Sequence, residues 1–463
     1  MDVLELARWQ FAVTTVYHFW SVPISIGLSA IVAGLQTTWL ITIKDDYLRL
    51  TKFFGKLLVI NFALGVVTGL VQEFQFGLNW SAYSRFVGDV FGIPLALEGL
   101  LAFFLESTFL GLWIFGWDRL PKAIHLAAIW IVAIGTQLSA YVILAANSWM
   151  QHPVGYVIEG DRVRLTDFVA VLTNDTAISA ALHTAAACFV TGGALVAGIS
   201  FWHLARKSKD ENAFRKGALI GSTVVLVAAL GVIGTGDQQM KLVAAQQPMK
   251  LAAAEALFHT ERPAAFSLVT IGNLDGTREL WSVKASHILS FLATGDWNAE
   301  IQGITELQAQ YERQYGPGSY APNIPLTFWS FRLMIGFGVL AALLAAVGIA
   351  ITLRRRRWLT NKWVARVALT LPILPLLANS TGWIFRETGR QPWLAFGLFK
   401  TQDGVSPGTT VAEVALSLAV FTLLYGALAI IEISLLKRNA QQLPPTEKPK
   451  QDDDLERPMT FAY

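Results

Sequence analysis

TFWSFRLMIGFGVLAALLAAVGIAI, residues 327–351, contains a single charged residue, Arg332. A helix that crosses the hydrocarbon core of a membrane needs about 20 predominantly apolar residues, and this stretch is long enough. No series of short alternating strands, as in a sandwich or barrel, occurs elsewhere. The sequence therefore predicts an all-α polytopic membrane protein with nine transmembrane helices. The other eight apolar stretches are 11–41, 53–74, 93–116, 123–146, 180–204, 217–236, 363–385 and 411–435.

The composition of the 463-residue chain agrees with this class. Hydrophobic residues make up 54% and charged residues only 15%, whereas a soluble globular protein carries about 25% charged residues. This excludes a soluble enzyme and a disordered scaffold. A net charge of +3 provides no basic field for a phosphate backbone, so no nucleic-acid partner is expected. The single cysteine, Cys188, excludes an internal disulfide.

Lysine and arginine concentrate in the connections that follow spans one, three, five and seven and in the C-terminal tail. The positive-inside rule then predicts an outer N-terminus and a cytoplasmic C-terminus. Asp2 and Glu5 stand where a cleaved signal would be basic, so the first span is expected to stay. The predicted units are spans one to six (1–236), a long outer loop (237–326), spans seven to nine (327–438) and a disordered tail (439–463).

Ionisable groups inside spans are costly and are therefore candidates for function. Near the outer ends of five different spans lie His18, Glu98, His183, Met334 and Glu387, and Glu106 lies deeper. Histidine with methionine is an axial pair of low-spin haem, and an arginine two residues from Met334 could meet a haem propionate. Structural alternatives are a satisfied core histidine, a gap-filling methionine and carboxyls that stabilise helices. His125 and His203, at cytoplasmic helix ends, are expected to be interfacial.

Several long motifs resemble subunit I of the cytochrome bd-type terminal quinol oxidases, and the resemblance covers almost the whole chain. The motifs are GKLLVINFALGVVTGLVQEFQFGLNW (55–80), GIPLALEGLLAFFLESTFLGLWIFGWDRLP (92–121), LSAYVILAANSWMQHPVG (138–155) and GRQPW (389–393). The resemblance implies a multi-pass subunit of the bacterial plasma (inner) membrane. It would oxidise membrane quinol and reduce dioxygen to water, generating proton motive force without pumping. A second oxidase subunit is the implied partner, with small single-span subunits as further candidates.

The resemblance also implies three haems: low-spin haem b558, high-spin haem b595 and the chlorin haem d, with haem b in place of haem d left open. His183 and Met334 match the low-spin ligands. His18 and Glu387 match the axial ligands of the two high-spin haems, and which of the two serves haem d stays open. Trp383 matches an aromatic residue that lies between haems.

Other matched positions concern protons and quinol. Glu98 and Glu106 match acidic residues of the di-haem site and of proton delivery, and Asn147 matches a polar residue near the oxygen-reducing end. Lys250 and Glu255 match the quinol-binding segment, with ubiquinol and menaquinol both open. The arginines implied at haem propionates are Arg332 and Arg390.

Two other classes of protein remain to be separated from an oxidase. A proton-coupled transporter also uses intramembrane Glu and His, but it does not need a solitary methionine such as Met334. A haem b membrane anchor of a dehydrogenase needs low-spin ligand pairs only, which leaves Glu387 and GRQPW unexplained.

Overall fold

The computed structural model describes residues 1–273, 276–354 and 356–445, without the side chains of residues 101, 102 and 356. Nine helical segments within these ranges are long and apolar enough to cross a membrane, which confirms the predicted all-α multi-pass architecture. In chain order the α-helices are α1 (Val3–Thr42), α2 (Asp45–Leu78), α3 (Ser81–Leu97), α4 (Phe103–Phe115), α5 (Lys122–Gln151), α6 (Phe168–Leu172), α7 (Asp175–Ala205), α8 (Glu211–Gln246), α9 (Pro248–Glu255), α10 (Ile288–Thr294), α11 (Ile304–Tyr315), α12 (Ile324–Arg354), α13 (Lys362–Thr370), α14 (Ile373–Thr388) and α15 (Val411–Ala440).

Three of the nine spanning segments consist of two helices each. The third combines α3 and α4 through a π-helical turn at Glu98–Ala102, the fifth combines α6 with α7, and the eighth combines α13 with α14. Antiparallel hairpins occupy part of the connections. Their strands are β1 (Tyr156–Glu159) with β2 (Arg162–Leu165), β3 (Phe266–Gly272) with β4 (Glu279–Ala285), and β5 (Trp393–Ala395) with β6 (Phe399–Lys400).

Side-chain oxygens fix where several of these helices begin, because the first N–H groups of a helix lack partners within it. The Asp2 carboxylate accepts the Glu5 N–H at 2.8 Å at the start of α1. Asn174 caps α7 in the same way, and Thr410 with Glu413 forms a capping box on α15.

The structure extends some predicted boundaries. The sixth spanning helix continues to Gln246, past the predicted start of the outer loop at 237. The chain between α8 and α12 contains α9, α10, α11 and the β3–β4 hairpin, so this segment is folded against the bundle. Of the predicted tail, residues 446–463 lie outside the described residues, and α15 continues to Ala440.

The prediction that two histidines lie at the membrane interface is wrong. His125 and His203 were expected to be interfacial, but only 2% and 1% of their surfaces are exposed. Gln36 lies 2.8 Å from the His125 ring, while Ser208 and the Ala440 carbonyl each lie 2.8 Å from the His203 ring. Gln36 and Ala440 belong to other helices and Ser208 to the connection after α7, so the two rings are buried without loss of hydrogen bonds.

Helices α1 and α7 lie at the centre of the bundle, where their backbones meet. A Cβ placed on Gly27 would lie 2.1 Å from the carbonyl oxygen of Cys188, and one on Gly192 would lie 2.5 Å from the Gly27 carbonyl carbon. Small residues at such crossings allow helices in membranes to approach closely. The largest apolar core surrounds this crossing and draws on α1, α2, α5, α7 and α8.

We expect Gly27→Ala to force α1 and α7 apart, because the added methyl group has no space. Overpacking of this kind costs about 1–3 kcal/mol, so the thermal unfolding temperature of the detergent-solubilised protein should fall. Gly34→Ala is the matched control, because a Cβ on Gly34 of the same helix meets no atom within 4 Å. Equal unfolding temperatures for the two variants would contradict this account of the crossing.

Candidate haem and quinol site

His18 on α1 is fixed by the neighbouring helix α2. Its Nδ1 lies 3.0 Å from the hydroxyl of Thr68, and the Gly65 carbonyl also hydrogen-bonds to the ring. The Thr68 hydroxyl donates its own proton to carbonyls of α2, so it can only accept from the imidazole. Nδ1 therefore carries the proton, and Nε2 keeps a lone pair for a metal.

His183 on α7 repeats this arrangement with α8. Its Nδ1 lies 3.0 Å from the Thr235 hydroxyl, and the Val232 carbonyl takes the place that Gly65 has at the first site. The Thr235 hydroxyl donates to the Gly231 carbonyl at 2.7 Å. Each threonine is followed by a glycine that leaves space for the histidine ring, Gly69 against His18 and Gly236 against His183. Both histidines thus present Nε2 as the free ligand nitrogen.

Met334 and Trp383 lie at contacts of α14. A Cβ on Gly382 of α14 would lie 2.9 Å from the Met334 sulfur, so the thioether of α12 packs directly on that glycine. The Trp383 ring meets Phe19 of α1 edge-on, with centroids 5.1 Å apart. Helix α14 also contacts α7, which bears His183.

Glu387 lies in the last turn of α14 and is surrounded by hydrogen-bond donors. Asn147 of α5 donates to its Oε1 at 2.9 Å, and Arg390 donates to its Oε2. Arg386 of the same helix donates to the Asn147 amide oxygen at 2.7 Å and to Ser148 at 3.0 Å. Asn147 therefore connects the carboxylate to a second guanidinium.

Lys250 belongs to this same cluster. Its Nζ donates to the Gln151 side chain at 2.8 Å and to the Arg386 carbonyl at 2.9 Å. Burial, together with the charges of Arg386 and Arg390, holds the pKa of the Lys250 ammonium well below its usual range.

Glu255 faces a different set of neighbours. Its Oε2 accepts from the Arg332 guanidinium at 2.7 Å and from the Ser267 N–H at 3.0 Å, while Arg332 also donates to the Ser267 carbonyl at 2.6 Å. Burial raises the pKa of Glu255 to about 7, and the positive charge of Arg332 opposes that rise.

Lys250 and Glu255 were expected to act together on quinol, but the structure separates their contacts. They are five residues apart on α9, so their side chains leave the helix about 140° apart. Lys250 reaches α5 and α14, whereas Glu255 reaches α12 and the β3–β4 hairpin. Arg332, expected at a haem propionate, uses two of its nitrogens on Glu255 and Ser267.

Glu98 and Glu106 both lie against α5. Ser139 donates to Glu98 at 3.1 Å, and a Cβ on Gly135, one turn away, would lie 2.9 Å from Cγ of Glu106. Glu98 begins the π-helical turn, a feature often found at functional sites, which the sequence analysis did not predict. A further carboxylate that it missed, Glu73 on α2, lies within electrostatic range of Glu98.

The residues present fit haem. Two imidazoles offer a free Nε2, and buried guanidinium nitrogens, Nη1 of Arg332 and of Arg390, have no hydrogen-bond partner in the described part of the chain. Unpaired buried guanidinium N–H groups suit the carboxylates of haem propionates. Residues 1–273, 276–354 and 356–445 contain no group of three or more His, Cys, Asp or Glu side chains suited to a bare metal ion.

These features define a multi-pass membrane protein with candidate histidine ligands and buried acid–base groups, as found in the class of the membrane haem oxidoreductases. The sequence profile of the family "Cytochrome bd terminal oxidase subunit I" matches residues 6–444. The chain therefore belongs to this family and is a haem-bearing subunit of a terminal respiratory oxidase. This excludes the transporter and dehydrogenase-anchor alternatives.

Several known proteins are similar to this chain over nearly their whole length. Cytochrome bd ubiquinol oxidase subunit 1 of Bacillus subtilis is 45% identical over 443 residues, which cover 96% of this chain and 94% of that one. Cytochrome bd-II ubiquinol oxidase subunit 1 of Escherichia coli is 37% identical over 502 aligned residues, which cover 96% of this chain and 97% of that one. The solved bd oxidase of Geobacillus thermodenitrificans is 28% identical, has a TM-score of 0.87, and covers 95% of this chain and 98% of that one.

Proposed function

We propose that this chain oxidises membrane quinol at Glu255 and holds three haems, which pass the electrons to dioxygen. The observation that supports this arrangement most directly is the ion pair between Glu255 and Arg332. Arg332 stands two residues from Met334 on α12, so the group proposed to take the quinol proton is bonded to the helix that bears a haem ligand.

The proposed ligands follow from the geometry and the family resemblance together. His183 and Met334 would hold low-spin haem b558, and His18 and Glu387 would each hold one of the two high-spin haems, b595 and haem d or a haem b in its place. Arg332 and Arg390 each have one nitrogen that is unpaired among the described residues and would bind a propionate, and Trp383 would contact the haems. The haems supply one-electron transfer and an iron atom that binds dioxygen.

At the quinol side, Glu255 serves as the base. Its pKa of about 7 allows it to accept a proton near neutral pH and to release it again. The guanidinium of Arg332 stabilises the charged form, and the Ser267 N–H fixes the carboxylate. Lys250 acts from a separate position, because its ammonium is held by Gln151 and Arg386.

At the oxygen side, Glu106, Glu98 and Ser139 deliver protons, and Asn147 orients Glu387. Oε1 of Glu106 is buried and has no hydrogen-bond partner among the described residues, so it can bond with water or an incoming proton carrier. Ser139 and Glu98 continue the polar path one turn along α5.

The proposed topology places the N-terminus outside and the C-terminus in the cytoplasm of a bacterial plasma membrane. Quinol protons released outside and protons taken from the cytoplasm then generate proton motive force without a pump. The proposed partners are a second oxidase subunit and small single-span subunits, with either ubiquinol or menaquinol as the electron donor.

Met334→Leu tests the low-spin site. Leucine preserves the volume, at a cost of less than about 1.5 kcal/mol, but cannot ligate iron as a thioether does. We expect the low-spin haem band to be lost or shifted to high spin in the reduced-minus-oxidised spectrum.

Thr235→Val, which removes an acceptor of the His183 N–H, should shift the potential of that haem and lower activity about 10–100-fold.

Thr352→Val is the control for Thr235→Val, because within the described residues the Thr352 hydroxyl donates to the Gly348 carbonyl of its own helix and bonds to no histidine. Thr235→Ser should keep the haem potential near that of the parent protein, since serine keeps the hydroxyl group.

For the low-spin site itself, an unchanged low-spin spectrum in Met334→Leu would remove Met334 from the proposed ligands.

The pH dependence of quinol oxidation tests Glu255. The carboxylate accepts a proton only when it is ionised, so the rate should rise with pH through about 7. Arg332→Gln removes the cation that favours ionisation, which should move this rise to higher pH by about 1–3 units. Lys284→Gln should move it less in the same direction, because Lys284 contributes the smallest effect on the pKa of Glu255. Identical pH profiles in all three proteins would exclude Glu255 as the base.

Glu106→Gln tests proton delivery. Glutamine keeps the size and the hydrogen-bonding capacity of the side chain but cannot exchange a proton. We expect oxygen reduction in proteoliposomes to slow by about 10²–10⁴-fold, the usual contribution of a positioned acid or base, while haem reduction by quinol is little affected. Glu106→Asp should be milder. Normal oxygen uptake and membrane potential in Glu106→Gln would make this residue structural.

A further inference from the structure

The β3–β4 hairpin has one apolar face that is open to its surroundings. Val269 pairs with Val283 and Ile271 pairs with Trp281, and directly opposite residues of an antiparallel hairpin lie on the same face. Trp281 is 54% exposed, Ile271 50% and Val283 42%. None of the four side chains carries a charge.

The other face is polar and buried. Ser267 and Thr270 are almost fully buried, with their hydroxyl oxygens 2.6 Å apart, and the backbone of Ser267 binds both Glu255 and Arg332. A hairpin with one face in water normally turns its apolar side chains inward and its polar ones outward. The reversed pattern is that of strands that face lipid.

The hairpin lies along the first turns of α12. A Cβ on Gly276 would lie 2.8 Å from Pro325, and the carbonyl of Ser267 accepts from Arg332, about 10 Å further along the helix. Over the same turns α12 exposes apolar side chains, and one of them, Trp329, shares a cleft with Ile271. The open face of the hairpin therefore continues the apolar surface of a membrane-spanning helix.

We infer that the face formed by Val269, Ile271, Trp281 and Val283 rests on phospholipid at the boundary between headgroups and acyl chains. Tryptophan favours this depth. A deeper position is excluded, because the free edges of a two-stranded hairpin need water or headgroups as hydrogen-bond partners. Lys284 at the end of β4, ion-paired with Glu279 at 2.8 Å, stays in the polar layer.

With the hairpin on the membrane surface, a lipid-soluble substrate has a direct route from the membrane to Glu255. The cleft between the hairpin and α12 is lined by Ile271, Phe328, Trp329 and Ala256, the residue next to Glu255. A quinol tail can occupy the leaflet while its ring approaches Glu255 through this cleft. The route rests on the proposed function, whereas the lipid contact of the hairpin does not.

Spin labels on the hairpin test the lipid contact directly. Cys188 is the single cysteine and is fully buried, so labels attached at Trp281→Cys or Val283→Cys report on the hairpin. The intact oxidase would be labelled in phosphatidylethanolamine–phosphatidylglycerol vesicles, and the signal of the labelled parent complex subtracted. Collisions with oxygen, which concentrates in lipid, are compared with collisions with a water-soluble nickel chelate.

Two control positions set the scale. Gln310→Cys places a label on an exposed site of α11, and Val339→Cys places one on the exposed side of α12 near mid-span. We expect the oxygen-to-nickel ratio at 281 and 283 to fall between those of the two controls. A ratio equal to that at Gln310 would mean that the face lies in water and would overturn the inference.

Few collisions with either oxygen or the nickel chelate at positions 281 and 283 would also overturn the inference, since another protein chain would then cover this face of the hairpin. Two label positions protect the test against a variant that does not fold. The measurement needs no turnover, so its result is separate from that of the quinol-oxidation tests.

Discussion

The ion pair between Arg332 and Glu255 is the interaction on which the packing of α9, α12 and the β3–β4 hairpin depends. Both groups are buried, and a buried charge pair is tolerated only when further hydrogen bonds replace the lost water. The backbone of Ser267 supplies those bonds from both its N–H and its carbonyl. The requirement to satisfy two charges thus fixes α9, α12 and the β3–β4 hairpin against one another, and it places the proposed quinol base beside the helix that carries Met334.

The same requirement shapes the cluster around Glu387, with a different balance of charge. One carboxylate meets the guanidiniums of Arg386 and Arg390 and the ammonium of Lys250, with Asn147 and Gln151 between them. Burial, and after it the charges of Arg386 and Arg390, lower the pKa of Lys250, and the excess of cations in the cluster favours an additional anion. Haem propionates would provide it, and Nη1 of Arg390 remains without a partner among the described residues.

The sequence predicted the spans and the candidate ligands because both depend on what a membrane excludes. Apolar length identifies a span, and His18, His183 and Glu106 stand out because ionisable groups in spans are rare. It did not predict which groups meet. Lys250 and Glu255 were expected to cooperate because both match the quinol-binding segment of the family, yet helix geometry turns them to different neighbours. The burial of His125 depends on Gln36 of a distant helix, which no local pattern indicates. A Thr-Gly pair at 68–69 and again at 235–236 was visible in the sequence, but its meaning required the histidines opposite.

That repeated arrangement can hold the two candidate ligand histidines, His18 and His183, at a constant separation. Helix α1 carries His18 and is paired with α2, which supplies Thr68, while α7 carries His183 and is paired with α8, which supplies Thr235. The two histidine-bearing helices meet at Gly27 and Gly192, where their backbones touch and no side chain can rearrange between them. Interiors packed this closely do not deform continuously. The positions of the two candidate ligand nitrogens, Nε2 of His18 and of His183, are therefore fixed by backbone contact at the crossing and by one threonine each, so the distance between them is set by the helix bundle itself.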